Sequence, residues 1–242
     1  MTIKENMKMK FYDVNGHEIK KEEFIKMYSD SYFIGNDRVV PRVNQNSRYA
    51  EEQIEDILEN GIKTPIDIVH ILAWKIGKLK HSECDSKNKF VYSKDWKNAE
   101  EMEVWLKGKK FKVKEFCDFV MDNLSDMENY SNPQDVLNKL NECSIDGIGP
   151  VYMITMLYFI SRKKYPIYDR FAFKAIEAIV NEAKPWETII KEKELPNKGD
   201  KKFKIIMEKS MEDYITKLQN VFGDEFNNRD VDRALWVYGH MF

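Results

Sequence analysis

The sequence predicts a mainly α-helical protein with one small β-hairpin near its N-terminal end. Three observations lead there. Apolar residues recur at helical spacing over most of the chain. Asn15-Gly16 sits between two short β-prone runs, a strong short-range hairpin signal. Residues 151–160 are apolar on every face, as in a helix buried inside a core, and are too few to cross a bilayer.

The elements follow in order. The hairpin covers residues 9–19, and a helix runs from Lys21 to Met27 or beyond. The next covers 47–60 and stops at Gly61, a residue suited to the turn after a helix. Thr64-Pro65 opens a third over 66–77, with a broad apolar face and His70 as a core or boundary residue. Residues 81–97 are polar and irregular and read as a surface loop. Further helices fit 98–106, 113–124, 201–222 and 230–242. The last is apolar at helical spacing and must dock; its Arg233 and His240 have two readings, facing a cleft or, favoured, packing and capping.

The central part of the chain is the most informative. Asn132 caps a short helix that begins at Pro133, where a missing N–H costs nothing. Gly147, Ile148 and Gly149 then allow a tight turn with positive φ at the glycines, because neither has a Cβ to clash. Pro150 fits the first turn of the apolar helix. Amides at such a helix start point outward, and the helix dipole favours an anion there, for which a duplex phosphate is suitable. Read alone, the same residues serve a plain αα-hairpin turn. The apolar helix ends in Ser161, Arg162, Lys163 and Lys164, and the Tyr165-Pro166 step blocks its continuation. Asp169 then opens a helix over 170–180, and N-capping alone would account for an Asp at that place.

The run Ile145-Asp146-Gly147-Ile148-Gly149, the buried helix, the Pro166 loop and Asp169 together resemble the helix-hairpin-helix signature of the DNA glycosylase superfamily. That superfamily includes endonuclease III, the alkylation-repair glycosylases and the 8-oxoguanine glycosylases. Asp169 lies 169 − 149 = 20 residues after the second glycine, the family spacing for the catalytic aspartate. Residues 165–170, Tyr-Pro-Ile-Tyr-Asp-Arg, are closest to the 8-oxoguanine branch and its archaeal relatives. The likeness covers about forty residues of 242.

The resemblance implies a two-subdomain helical glycosylase fold: residues 1–45 and 185–242 form one subdomain, and 46–184 form the other, with the hairpin at 132–162 and the Asp169 loop. It implies base excision from double-stranded DNA carrying a damaged or modified base. An oxidised purine comes first, ahead of an alkylated purine or a modified pyrimidine. Asp169 would be catalytic, and Gly147, Ile148, Gly149, Val151, Arg162 and Lys163 would meet DNA. Tyr152 and Tyr168 would line the pocket for the flipped base, and the remaining tryptophans are assigned to the core. No cofactor is implied beyond room for a structural monovalent cation at the hairpin, and a monomer is the expected state.

Two departures from the family pattern matter. Asp146 replaces the proline before the first glycine, placing negative charge near the phosphate site. Bifunctional members carry a Schiff-base lysine where this chain has Val151, which cannot act as a nucleophile. Lys139, Lys163, Lys164 and Lys174 are near in sequence, but the motif gives none of them that role. A monofunctional enzyme without strong lyase activity is therefore expected.

Composition bounds these readings. A net charge of −2 is unhelpful for phosphate affinity, which normally draws on a basic face. Lysines cluster locally, however, at Lys107–Lys114, Arg162–Lys164 and Lys198–Lys204. Three separate cysteines and four histidines show no ligand spacing, which argues against a disulfide framework, a zinc site or an iron–sulfur cluster. Charged residues interrupt any apolar run at the start, so no signal peptide or membrane partner is expected and a cytoplasmic location is the simple reading. High Lys, Ile and Asn content fits an AT-rich bacterial genome. A noncatalytic duplex-binding module, with Asp169 only a cap, and a helical scaffold using the glycines for packing are the competing classes.

Overall fold

The computed structural model describes residues 9–33, 48–75, 79–80, 91–92, 103–106, 109–143, 148–191 and 203–242. It is mainly helical. Strands β1 (Phe11–Tyr12) and β2 (Glu18–Ile19) pair antiparallel, with Phe11 opposite Ile19. Gly16 takes φ +79° in their turn, as the Asn-Gly signal requires. Helices α1 (Lys21–Phe33), α2 (Arg48–Asn60) and α3 (Pro65–Lys75) follow. Two more hairpins come next, β3 (Leu79–Lys80) with β4 (Val91–Tyr92), and β5 (Glu103–Leu106) with β6 (Lys109–Lys112). Then come α4 (Lys114–Asn129), α5 (Pro133–Glu142), α6 (Pro150–Ile160), α7 (Arg170–Val180), α8 (Phe203–Phe222) and α9 (Arg229–Tyr238). A 3₁₀ turn over Gly239–Met241 ends the chain.

Three expectations need correcting. The helix expected over 98–106 is not formed at 103–106, which belong to β5. Glu103-Val104-Trp105-Leu106 is rich in β-formers, and pairing Leu106 with Lys109 leaves only Lys107-Gly108 between the strands, the length of a tight hairpin turn. Part of the expected 81–97 loop is strand β4. The last helix ends at Tyr238, where Gly239 lowers helix propensity and the chain tightens to a 3₁₀ turn. Most of the 81–97 loop and Lys198–Lys202 lie outside the described residues.

The chain divides into two compact units. One comprises residues 1–45, 168–194 and 211–242; the other comprises 46–167 and 195–210. Residues 168–184 therefore group with the terminal segments instead of with the hairpin. The reason is packing: α7 buries Ala172, Phe173, Ala175, Ile176 and Ile179, and it packs on α9 and the 3₁₀ turn.

In the terminal unit α1 lies along α9. Phe24, fully buried, meets Tyr28 and Tyr238 with ring centroids 4.9 Å away in each case, and Phe11 at 5.1 Å. The Tyr28 hydroxyl donates to the Tyr12 carbonyl at 3.1 Å, fastening β1 to α1. In the other unit α6 is the central element, in contact with α3, α4 and α5. Every residue from Met153 to Ile160 is buried. Each large apolar side chain among them contributes roughly 1.5–3 kcal/mol by leaving water. The Trp74 ring meets Phe159 at 5.8 Å, and its indole N–H donates 2.6 Å to the buried Glu51 carboxylate, tying α3 to α2. No helix among the described residues is long and apolar enough to cross a membrane.

Candidate nucleic-acid interface and candidate catalytic acid

The start of α6 is built from its sequence as expected, with one difference. Asn132 caps α5 by accepting from the Gln134 amide at 2.9 Å, with Pro133 at the first helical position. Gly149 caps α6, and Pro150 occupies its first turn. Yet Gly149 is extended, with φ −99° and ψ −175°, so positive φ is not what selects glycine here. Among the described residues, a Cβ at Gly149 would meet nothing within 4 Å. No described residue fills the space above it, which would let a ligand backbone approach closely. Gly147, with Ile145 and Asp146, lies outside the described residues.

Around that helix start the amides of Tyr152 and Met153 both donate to the Gly149 carbonyl, at 3.1 and 3.2 Å. Pro150 has no N–H, which leaves the Val151 amide as the outward donor at the positive end of the dipole. Among the described residues the Val151 side chain is one of the exposed large apolar groups. Ile148 is buried. Tyr152 is half-buried, and burial pushes its phenol up to about 12.

At the other end of α6 the chain turns through a Schellman motif. The Arg162 amide donates to Phe159 O and the Lys163 amide to Tyr158 O, at 3.1 and 3.0 Å. Both residues take positive φ, 49° and 69°. The Arg162 guanidinium is occupied within the protein: Nη1 donates to the Glu59 carbonyl at 3.1 Å, and Nη2 lies 3.8 Å from the Glu128 carboxylate. Arg162 thus fastens α6 to the ends of α2 and α4, a structural task that sequence spacing did not reveal.

Asp169 stands at the N-cap of α7 with extended backbone, φ −133° and ψ 146°. Its Oδ1 accepts from the Phe171 amide at 2.9 Å, and the residue is partly buried. Tyr168 just before it is not a pocket wall. It is 2 % exposed, and its ring is used in the core against Tyr214 at 5.1 Å and Phe173 at 5.9 Å. Its burial fixes the backbone that delivers Asp169. Tyr214 is fully buried, and its phenol is held well above the ordinary range by burial and then by the charges of Asp232 and Asp169.

The structure brings further side chains to Asp169. The Phe171 ring meets both the Arg170 guanidinium, 4.6 Å from its centroid, and the His240 imidazole, stacked at 3.6 Å. Trp236 meets His240 edge-on at 4.4 Å. The His240 Nδ1 lies 2.7 Å from the Trp236 carbonyl, which fixes Nδ1 as the protonated nitrogen of the neutral ring. Burial pushes this imidazole down; the Trp236 carbonyl and the Asp169 charge oppose that, while Arg170 and Lys174 add to it. Lys174 donates to the Phe242 carbonyl at 3.1 Å. The sequence favours packing or capping for His240 over a place facing the cleft. The i, i+4 spacing of Trp236 and His240, which places both on one helix face, was the available signal.

No protein-family model, curated protein or solved structure matches this chain. The functional reading therefore rests on its residues and their geometry.

Arg233, also favoured for packing or capping, is buried beside Asp230 at 3.1 Å and over the Phe33 ring at 4.9 Å.

Proposed function

We propose that this chain is a monofunctional DNA glycosylase that flips a damaged or modified base, an oxidised purine first, and cleaves its N-glycosidic bond. The observation that carries the reading is Asp169: a partly buried residue whose carboxylate accepts from the Phe171 amide, at the family spacing of 20 residues from Gly149. Breaking an N-glycosidic bond develops positive charge on the sugar and negative charge on the departing base. A fixed carboxylate lowers the first of these energies without reorganising during the reaction. Extrusion of the base costs a few kcal/mol and is cheapest where the lesion already weakens pairing. The space over Gly149 that no described residue fills and the outward Val151 amide suit a duplex phosphate. Val151 offers no amine at the Schiff-base position, which supports hydrolysis without strand cleavage.

A panel of duplexes, each bearing one lesion, tests this with and without alkali. Strand breaks only after alkali are expected on at least one substrate. Asp169→Asn should abolish base release while duplex affinity changes little. Full activity of that variant, or no release from any lesion, would overturn the proposal. The second reading, a noncatalytic duplex-binding module, is favoured by the same cap bond, since capping alone explains an Asp before α7. It predicts duplex binding without release of any base.

A further inference from the structure

We propose that His240 is a second catalytic side chain beside Asp169, whose Nε2 accepts a proton from the water that attacks the sugar. This inference rests on the glycosylase reading and assigns a residue that the sequence resemblance does not. The geometry is specific. Phe171 joins the two groups, because its amide holds Asp169 Oδ1 at 2.9 Å while its ring carries the His240 imidazole at 3.6 Å with planes 18° apart. Gly239 seats that arrangement, packed so close that a Cβ would stand 1.8 Å from the Phe171 carbonyl. The imidazole is therefore held from two sides.

The nitrogens have different tasks. Nδ1–H is spent on the Trp236 carbonyl, so the lone pair of the neutral ring is on Nε2, which has no protein partner among the described residues. The charged groups acting on the ring are Asp169, Arg170 and Lys174, all from the start of α7. Burial, Arg170 and Lys174 disfavour the protonated ring, so it is neutral and ready as an acceptor near pH 7. Asp169, close by, stabilises the imidazolium once formed.

The step balances. Water oxygen bonds to the anomeric carbon as the bond to the base breaks, and that bond's electron pair leaves with the base nitrogen. One water proton passes to Nε2 and is then delivered to the departing base, which leaves neutral. The Asp169 carboxylate takes up no proton in this step and balances the charge on the sugar. A positioned proton acceptor of this kind typically contributes about 10²–10⁴-fold to the rate.

Two measurements test the proposal. With four histidines in the chain, ring resonances of isotope-labelled protein are assignable through His240→Gln. The probe is a duplex containing a tetrahydrofuran abasic-site analogue. The expected results are an Nδ1-protonated tautomer, a lower His240 pKa in Asp169→Asn, and a His240 shift on duplex binding that exposed His17 does not share. In the second measurement, His240→Gln should slow single-turnover base release by about 10² or more. The acid limb of the pH profile should disappear with little change in duplex affinity. If the duplex binds and His240 resonances do not move, or if His240→Gln releases base at the wild-type rate, this proposal falls and the glycosylase reading stands. If the wild-type protein neither binds the duplex nor releases a base, both fall together.

Discussion

Gly239 lies so close beneath Phe171 that a β-carbon there would stand 1.8 Å from the Phe171 carbonyl oxygen and 2.9 Å from its Cα. The contact is with backbone, which cannot swing aside as a side-chain tip can. Gly239→Ala must therefore separate the 3₁₀ turn from the first turn of α7. Overpacking of this kind costs typically 1–3 kcal/mol, and a backbone clash belongs at or above the top of that range. A loss of about 3 kcal/mol in denaturant unfolding is expected. Because Phe171 also holds Asp169, base release should fall further than the unfolded fraction explains. Wild-type stability in Gly239→Ala would mean that the two segments do not touch.

Capping and chemistry separate at Asp169. Asn caps helices about as well as Asp, whereas Ala at an N-cap costs about 0.5–2 kcal/mol. Asp169→Asn should retain nearly wild-type stability and Asp169→Ala should lose about 1 kcal/mol, measured by urea unfolding. Both should lose base release. If activity followed stability, with the Asn variant active and the Ala variant impaired, the carboxylate would be a cap and nothing more.

The sequence was legible where a local rule decided the outcome. Asn132 and Asp169 cap helices because a short side-chain oxygen reaches the amide two residues on, and that geometry is local. The Asn15-Gly16 turn was read for the same reason. What could not be read was long-range. Nothing near Arg162 in sequence announces Glu59, 103 residues away, as its partner. The stacking of His240 on Phe171 joins positions brought together only by α7 packing against the last turn. The extended Gly149 shows the reverse error, because a glycine was read as a demand for positive φ when space above it that no described residue fills is the feature present.

His70 on α3 sets a pH dependence of its own. Burial pushes its imidazole down to about 4, with Asp67 opposing. Between that value and the ordinary histidine pKa, the unfolded chain binds a proton at this site that the folded chain does not. Stability therefore rises with pH across this window and is lost on acidification from about pH 6.5 to about pH 4. The lost stability is on the order of 3 kcal/mol for a shift of this size. His70→Gln should flatten that part of the stability curve when subtracted from wild type, measured by urea unfolding at a series of pH values. Parallel curves for the two proteins would show that His70 is accessible to protons in the folded state.

Arg162 and Glu182 occupy equivalent positions after α6 and α7, yet they should respond oppositely to glycine. Both take positive φ, 49° and 51°, and both close a Schellman motif: the Glu182 amide donates to Ile179 O and the Ala183 amide to Ala178 O. A side chain in the left-handed region costs roughly 1–2 kcal/mol that glycine does not incur. Among the described residues Glu182 pairs with Lys10 at 2.8 Å, and both partners are half-exposed, so the pair contributes little. Glu182→Gly should match or exceed wild-type stability, while Glu182→Ala, which loses the pair and keeps the strain, should fall about 1 kcal/mol below the glycine variant. Arg162 differs because its guanidinium satisfies the Glu59 carbonyl and lies against Gly61, where an added Cβ would stand 2.6 Å from Nη2. Removing it takes away that exposed bond, whose net contribution is about 0.5–1.5 kcal/mol, together with the Glu128 pair and the packing over Gly61. Arg162→Gly should therefore be destabilising despite the relief at its own backbone. Thermal unfolding of the three variants, ranked against wild type, decides it: a stabilised Arg162→Gly would show that its bond to Glu59 contributes less than the strain it sits on.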